Sequence, residues 1–253
     1  MANVNPKRKQ ENGTKIILII LLVLLALAFP SVLAQQTYTQ PMYEVQWTTH
    51  TLLVSIPDTL PDAKTSMLQA MDIWNKAQTW FIQSYYPNQP EAMFNLKAAQ
   101  GGQVQVTVQY VSSLPNGWWA ETTQSGTKIS IVISHASGNV VIAAHELGHV
   151  LGLGDNSING DLERSSNVFS PYPSTLNLYG VFLQAKCQCY TYEDSISLPA
   201  QIPYTIWNPN LVVVPEFPNM LPVLVVAALA SVIIPVKLRR HVPICSSQNR
   251  VPY

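Results

Sequence analysis

Charge is scarce in this 253-residue chain: Asp, Glu, Lys and Arg make up 11% of it, and the formal net charge is zero. That zero hides an uneven distribution. Between Gln35 and Glu216, six Lys/Arg stand against 13 Asp/Glu, an excess of seven acids, and the compensating bases sit at the two ends beside apolar runs. So acidic a body excludes the phosphate-neutralising surface that a nucleic-acid partner requires. Cysteine is scarcer still, with Cys187, Cys189 and Cys245 only. Three cysteines exclude a disulfide scaffold, so stability has to come from the core that a chain of this length can bury. Cys187 and Cys189 are two residues apart, a strained spacing for a mutual disulfide. They are also only half of a metal site. An intermolecular bridge and a redox-sensitive pair both stay open. The one Asn-x-Ser/Thr sequon, at Asn12, precedes the first apolar run.

Two apolar runs flank the acidic body. Lys7, Arg8, Lys9 and Lys15 precede a 14-residue run, Ile16 to Phe29, which is short for a membrane span. Pro30 ends it, and Val32 and Ala34 supply small residues before Gln35. Residues 1–34 therefore read as a secretory signal peptide, with an uncleaved N-terminal anchor as the alternative. Either one exports the acidic body. At the other end, Phe217 to Val236 carries no charge over 20 residues, and Lys237, Arg239 and Arg240 come directly after it. As helix this run would span about 30 Å, with the basic flank on the cytoplasmic side. Residues 217–236 are expected to be a transmembrane anchor and residues 237–253 a cytoplasmic tail. The stretch from Val214 through Pro222 to Arg240 also resembles Pro-Glu-Phe C-terminal sorting signals of surface proteins, which would make the anchor a removable one. Prolines from Thr191 to Glu216 predict an extended stalk.

The body itself, residues 35–190, alternates strand and helix signals. Glu44 to Ile56 is rich in β-branched and alternating residues and predicts a strand ended by Pro57; His50 within it reads as a strand residue. Pro61 opens a long helix to about Ser84, with Met67, Ala70, Met71, Trp74, Ala77 and Phe81 on one face. Ala92–Ala98, Gln103–Val111 and Thr127–Ser134 are predicted strands. Trp118–Thr122, after the Pro115-Asn116-Gly117 turn, is a short aromatic strand suited to a sheet edge along a cleft. Ser174–Lys186 predicts a helix capped by Ser174 or Thr175.

The most specific stretch is Val140 to Asp155, VVIAAHELGHVLGLGD. As a helix it sets His145 and His149 one turn apart on one face, where two imidazoles can hold one Zn²⁺. Glu146 lies roughly 100° away around the axis, off the metal but within reach of a water, as a general base must be. Gly148 costs about 1 kcal/mol relative to Ala inside a helix, so another backbone or a substrate is expected to approach it closely. Gly152 can take φ > 0 and end the helix, turning Asp155 back toward the same ion. His135 is a further ligand candidate, in the loop after the last strand.

His145, Glu146, His149, Gly152 and Asp155 resemble the HExxHxxGxx(H/D) signature of metzincin zinc endopeptidases, and HELGHVLGLG is most similar to the matrixin branch. The resemblance covers about Val45 to Lys186. It implies an α+β fold, with a twisted mixed β-sheet, two long helices and a small C-terminal subdomain with one helix. It also implies one catalytic Zn²⁺ on His145, His149 and Asp155, Glu146 as general base, and an extended polypeptide substrate. Two features depart from the family pattern. No cysteine precedes the helix, so a propeptide thiolate on the metal is absent. No Met lies between Asp155 and Met220, so the Met-turn under the metal is missing, and Leu162 or Pro171-Tyr172-Pro173 is expected in its place.

The expected function is cell-surface, zinc-dependent peptide-bond hydrolysis by an exported, membrane-anchored domain. The alternative is a surface adhesion or envelope module that keeps the fold without the activity. An intact Glu146 argues for the enzyme; the missing Met-turn argues for the module. Nothing in the sequence speaks to oligomeric state.

Overall fold

A computed structural model of the protein describes residues 37–210, apart from 46, 101, 136–137, 167–169, 188–189 and 192–193. The expected signal peptide, the anchor, the tail, Cys189 and Cys245 lie outside the described residues. Among the described residues no helix is long and apolar enough to cross a membrane. Residues 36–213 cluster as one compact unit, with mixed α+β structure.

Its centre is a five-stranded sheet of β2 (Thr51–Ser55), β3 (Asn95–Ala98), β4 (Val106–Val111), β5 (Ala120–Ser125) and β6 (Lys128–Ser134), in the spatial order β3-β2-β4-β6-β5. The first four in that order are parallel to one another, and β5 closes one edge antiparallel to β6. Parallel pairing needs long crossovers. Helix α1 (Pro61–Tyr85) supplies the one from β2 to β3. Every residue of its expected apolar face, Met67, Ala70, Met71, Trp74, Ala77 and Phe81, is buried. So are Leu52, Val54, Val106, Val108, Ile129, Ile131 and Ile133, the alternate residues on one face of the sheet, and all belong to one core.

The polar groups of α1 are spent on the same job. Asn75 exchanges hydrogen bonds with the backbone of Leu96, and Gln78 accepts from Phe94 N–H, which sets where β3 begins. Trp74 Nε1 donates to Ala144 O at 2.8 Å, tying α1 to helix α2 (Val140–Val150). Helix α3 (Thr175–Cys187) opens on a reciprocal cap. Ser174 Oγ accepts from Asn177 N–H, and Asn177 Oδ1 accepts from Ser174 N–H. Cys187, at its end, is disulfide-bonded.

Three expectations need correction. Of the two long helices expected, α1 has 25 residues but α2 has 11, bounded by the Asn139 cap and by Gly152. The strand expected over Glu44–Ile56 forms only at Thr51–Ser55, because the residues before it are bound elsewhere. Tyr43 N–H donates to Gly152 O, Trp47 Nε1 donates to Val150 O at 3.0 Å, and Val45 and Trp47 are buried there. The stalk expected from Thr191 packs on the domain as far as Trp207 instead of extending away. Strand β7 (Ser195–Ser197) pairs with β1 (Thr39–Pro41), Thr175 and Thr205 bond through backbone and side chain, and Ile202 and Trp207 are buried. Proline density marked a chain without periodic structure, not one without a core to join.

Candidate metal centre

Helix α2 is a short buried helix with a defined start and stop. Asn139 is its N-cap, its Oδ1 accepting from Val141 and Ile142 N–H, a contact of about 1 kcal/mol. Gly152, at φ 92°, ends it as expected. Between them His145 and His149 lie with ring centroids 4.6 Å apart, nearly perpendicular. Each Nδ1 is committed to a backbone carbonyl, His145 to Leu162 O and His149 to Leu153 O, both at 2.9 Å. A carbonyl only accepts, so each Nδ1 carries the proton and each Nε2 keeps its lone pair. That is the tautomer a metal needs, fixed by its outer partner.

The chain then turns at Gly152 and brings Asp155 to the Nε2 side. Asp155 Oδ1 is 3.4 Å from His145 Nε2 and 3.8 Å from His149 Nε2. Tetrahedral zinc with bonds of about 2.1 Å holds its ligand atoms roughly 3.4 Å apart. Both distances from Asp155 Oδ1 are thus near that spacing, so Asp155 is placed to share one small ion with either imidazole.

A second carboxylate comes from the opposite side. Glu163 Oε2 lies 4.0 Å from His145 Nδ1 and 3.7 Å from His149 Nδ1, so His145, His149 and Glu163 also form a cluster of ligand types. The Nδ1 protons decide between the two sets. Those nitrogens are already bonded to carbonyls, so the free lone pairs face Asp155 and away from Glu163. Glu163 is fully buried, and neither of its carboxylate oxygens has a hydrogen-bond partner. It occupies the notch left by Gly148, where an added Cβ would lie 2.0 Å from Glu163 Oε1. What approaches Gly148 is this side chain, in place of the backbone or substrate expected there. Burial, then the charges of Asp161, Asp155 and Glu146, push the Glu163 carboxyl well above its ordinary range.

Leu162, expected to take the place of the missing Met, is buried but contributes its carbonyl. On the Nδ1 side it is Glu163 that brings a carboxylate oxygen within 4.0 Å of both imidazoles. His135 is exposed and does not line the cavity that holds His145 and His149. His50, also exposed, meets Ala185 O through Nε2 at 3.1 Å and presents its ring edge-on to Phe94, a structural role.

Glu146, only 4% exposed, accepts a 2.6 Å hydrogen bond from Thr122 Oγ1 on β5. Burial raises its pKa, which His145 and the Thr122 hydroxyl partly offset. For His145, burial and the neighbouring His149 lower the pKa, favouring the neutral ring. These groups border a cavity of about 680 Å³ whose other wall is residues 117 to 122, leading into and along edge strand β5.

The loop carrying Asp155 is held by a buried polar cluster with no local sign in the sequence. Asp161 Oδ1 accepts from Asn156 Nδ2, Asn177 Nδ2 and Glu163 N–H, each at 2.9 Å. Its Oδ2 accepts from Tyr204 OH. Gln40 Oε1 accepts from the same two amides, and Gln40 Nε2 donates to Gly154 O. Asn156 N–H donates to Glu163 O, so Asp155, Leu162 and Glu163 are set from one closed loop. Scanned against protein-family models the chain matches none, and no curated protein matches it.

Proposed function

We propose that the chain is a zinc-dependent endopeptidase of metzincin-like fold, exported and held at the cell surface. One observation carries this reading: the free Nε2 atoms of His145 and His149 converge with Asp155 Oδ1, and Glu146 is buried in the same cavity. Further support comes from a sheet whose antiparallel edge strand borders that cavity. The two histidines and Asp155 would hold the ion. When bound, zinc supplies a Lewis acid that polarises a carbonyl and acidifies water.

The protein's own groups supply the rest. Carbonyls of Leu162 and Leu153 hold the two imidazoles in the ligating tautomer. The side chain of Glu146, placed by Thr122, takes the proton from the attacking water and hands it to the departing amine. Burial excludes bulk water from this carboxylate and raises its basicity. Substrate backbone pairs with the outer edge of β5, extending the sheet by one strand.

The test is metal analysis of residues 36–213 together with casein hydrolysis, beside Glu146→Ala. The expected result is about one zinc per chain in both proteins, with hydrolysis lowered by roughly 10²–10⁴ in the variant. Absence of stoichiometric metal, or equal hydrolysis by both, overturns the reading. Metal without hydrolysis in either protein would favour the surface-module alternative.

A further inference from the structure

Resting on the protease reading, we infer that Trp118 and Trp119 select the substrate: a polypeptide with a bulky apolar or aromatic side chain three to four residues from the scissile bond. Among the described residues, the exposed large hydrophobic side chains are Leu68, Trp118 and Trp119, the two tryptophans at 54% each. Exposure is not the habit of tryptophan in this protein, since Trp47, Trp74 and Trp207 are buried. A lone exposed apolar side chain needs no explanation. Two adjacent indoles on the wall of the cavity that holds His145, Glu146 and His149 do.

Their place in the fold gives the offset. Both precede β5 directly, with Trp118 already in extended backbone. One side of β5 is paired with β6 along its whole length, and the strand is the edge of the sheet. A peptide added to the other side advances about 3.3 Å per residue. Thr122, bonded to Glu146, marks the position of the chemistry along this strand. Trp119 and Trp118 lie three and four residues before it, roughly 10–13 Å away. Beyond Thr122 the strand continues as Thr123, Gln124 and Ser125, with no apolar side chain. Along this strand, therefore, the apolar contact falls on one side of the cleaved bond. Flat, rigid indoles recognise apolar and aromatic side chains at small cost in conformational freedom.

The experiment digests a diverse peptide library with the zinc-loaded full chain and reads cleavage sites by mass spectrometry. Parent, Trp118→Ala, Trp119→Ala and the double variant are compared. Enrichment of Phe, Tyr, Trp, Leu and Met at that offset, worth about 10-fold in kcat/KM over Ala, is expected for the parent. The double variant should lose the enrichment while keeping its zinc content. Cleavage by the parent without that preference, or a preference that survives in the double variant, overturns the inference. If the parent cleaves nothing, the protease reading fails, and binding is then measured directly. Glu146→Ala is titrated with an extended peptide of about ten residues carrying one Phe, or Ala in its place. Tighter binding of the Phe peptide by about 10-fold, abolished by the two tryptophan substitutions, upholds the aromatic subsite; equal binding ends it.

Discussion

Replacing Gly148 by Ala sets two known effects against each other, and the geometry says which wins. In the interior of a helix Ala is favoured over Gly by about 1 kcal/mol. Here the new methyl would lie 2.0, 2.4 and 2.7 Å from Oε1, Cδ and Oε2 of Glu163. Real Cβ contacts do not come so close, and because Glu163 is fully buried its carboxylate can retreat only by displacing packed neighbours. Overpacking of a closed core costs about 1–3 kcal/mol, so Gly148→Ala should be net destabilising by up to about 2 kcal/mol. In a Glu163→Ala background the obstacle is gone and the same methyl lies in the vacated space. There Gly148→Ala should stabilise by about 1 kcal/mol. The sign reversal is the prediction, read as a coupling of about 1–3 kcal/mol in a double-mutant cycle. Urea denaturation of the metal-stripped 36–213 unit measures it, and each kcal/mol should move Tm by about 2–4 °C for a domain of this size. Independent, additive substitutions would refute the idea that Gly148 is small to admit Glu163.

Glu163 also predicts a pH dependence. A carboxyl whose pKa is raised on folding binds more protons folded than unfolded, so stability falls as pH rises from about 4.5 toward the raised pKa. The stability of the metal-stripped parent relative to Glu163→Gln should decline with pH over that interval, at up to about 1.4 kcal/mol per unit; a constant difference would contradict it. His145 acts with the opposite sign. Its pKa is lowered by burial, so its contribution is full above about pH 6.5 and is lost as pH falls below that. Comparing parent with His145→Gln in acid-denaturation curves of the metal-free protein checks this, since the variant should decline less steeply just below about pH 6.5. Thr122→Val removes the hydroxyl that favours ionised Glu146. The acid limb of its kcat/KM profile should move to higher pH with zinc content unchanged, and an unmoved limb would sink the assigned role. Asn177→Ala strips donors from both Gln40 and Asp161 and should cost about 2–3 kcal/mol. It should also weaken zinc binding through the Asp155 loop, as calorimetric titration with zinc would register.

What the sequence made legible is what repeats at short range. The four-residue spacing of His145 and His149, the stop at Gly152, the face from Met67 to Phe81 and the alternation in β4 and β6 each come from a local period. Glu163 has no such signature. It is one acid in a polar loop, and only the space above Gly148 makes it a buried group. The same holds for Gln40, Asn156, Asp161 and Asn177, whose bonds join residues up to 137 positions apart. Val45 and Trp47 look like strand residues because their composition is right. Their burial comes instead from the end of α2, a partner no local pattern reveals. Ile202 and Trp207 are isolated apolar residues among prolines, too sparse to announce a packed segment.

The clamp around Gln40 has a consequence for when the protein becomes competent. Its amide reaches Gly154 and Asn177, while Tyr204 closes the far side of Asp161. Beginning and end of the folded unit thus meet at the arm that presents Asp155. A chain ending near residue 190 keeps Asn156, Asp161 and Asn177 on that arm but lacks the Tyr204 hydroxyl on Asp161 and the strand β7 that pairs with β1 at Gln40. The support of the arm is therefore complete only once these distant segments have joined it, a slow class of contact to form. Shortened chains ending near residue 190 should therefore retain the helices and bind zinc more weakly than the 36–213 unit, as calorimetric titration would register.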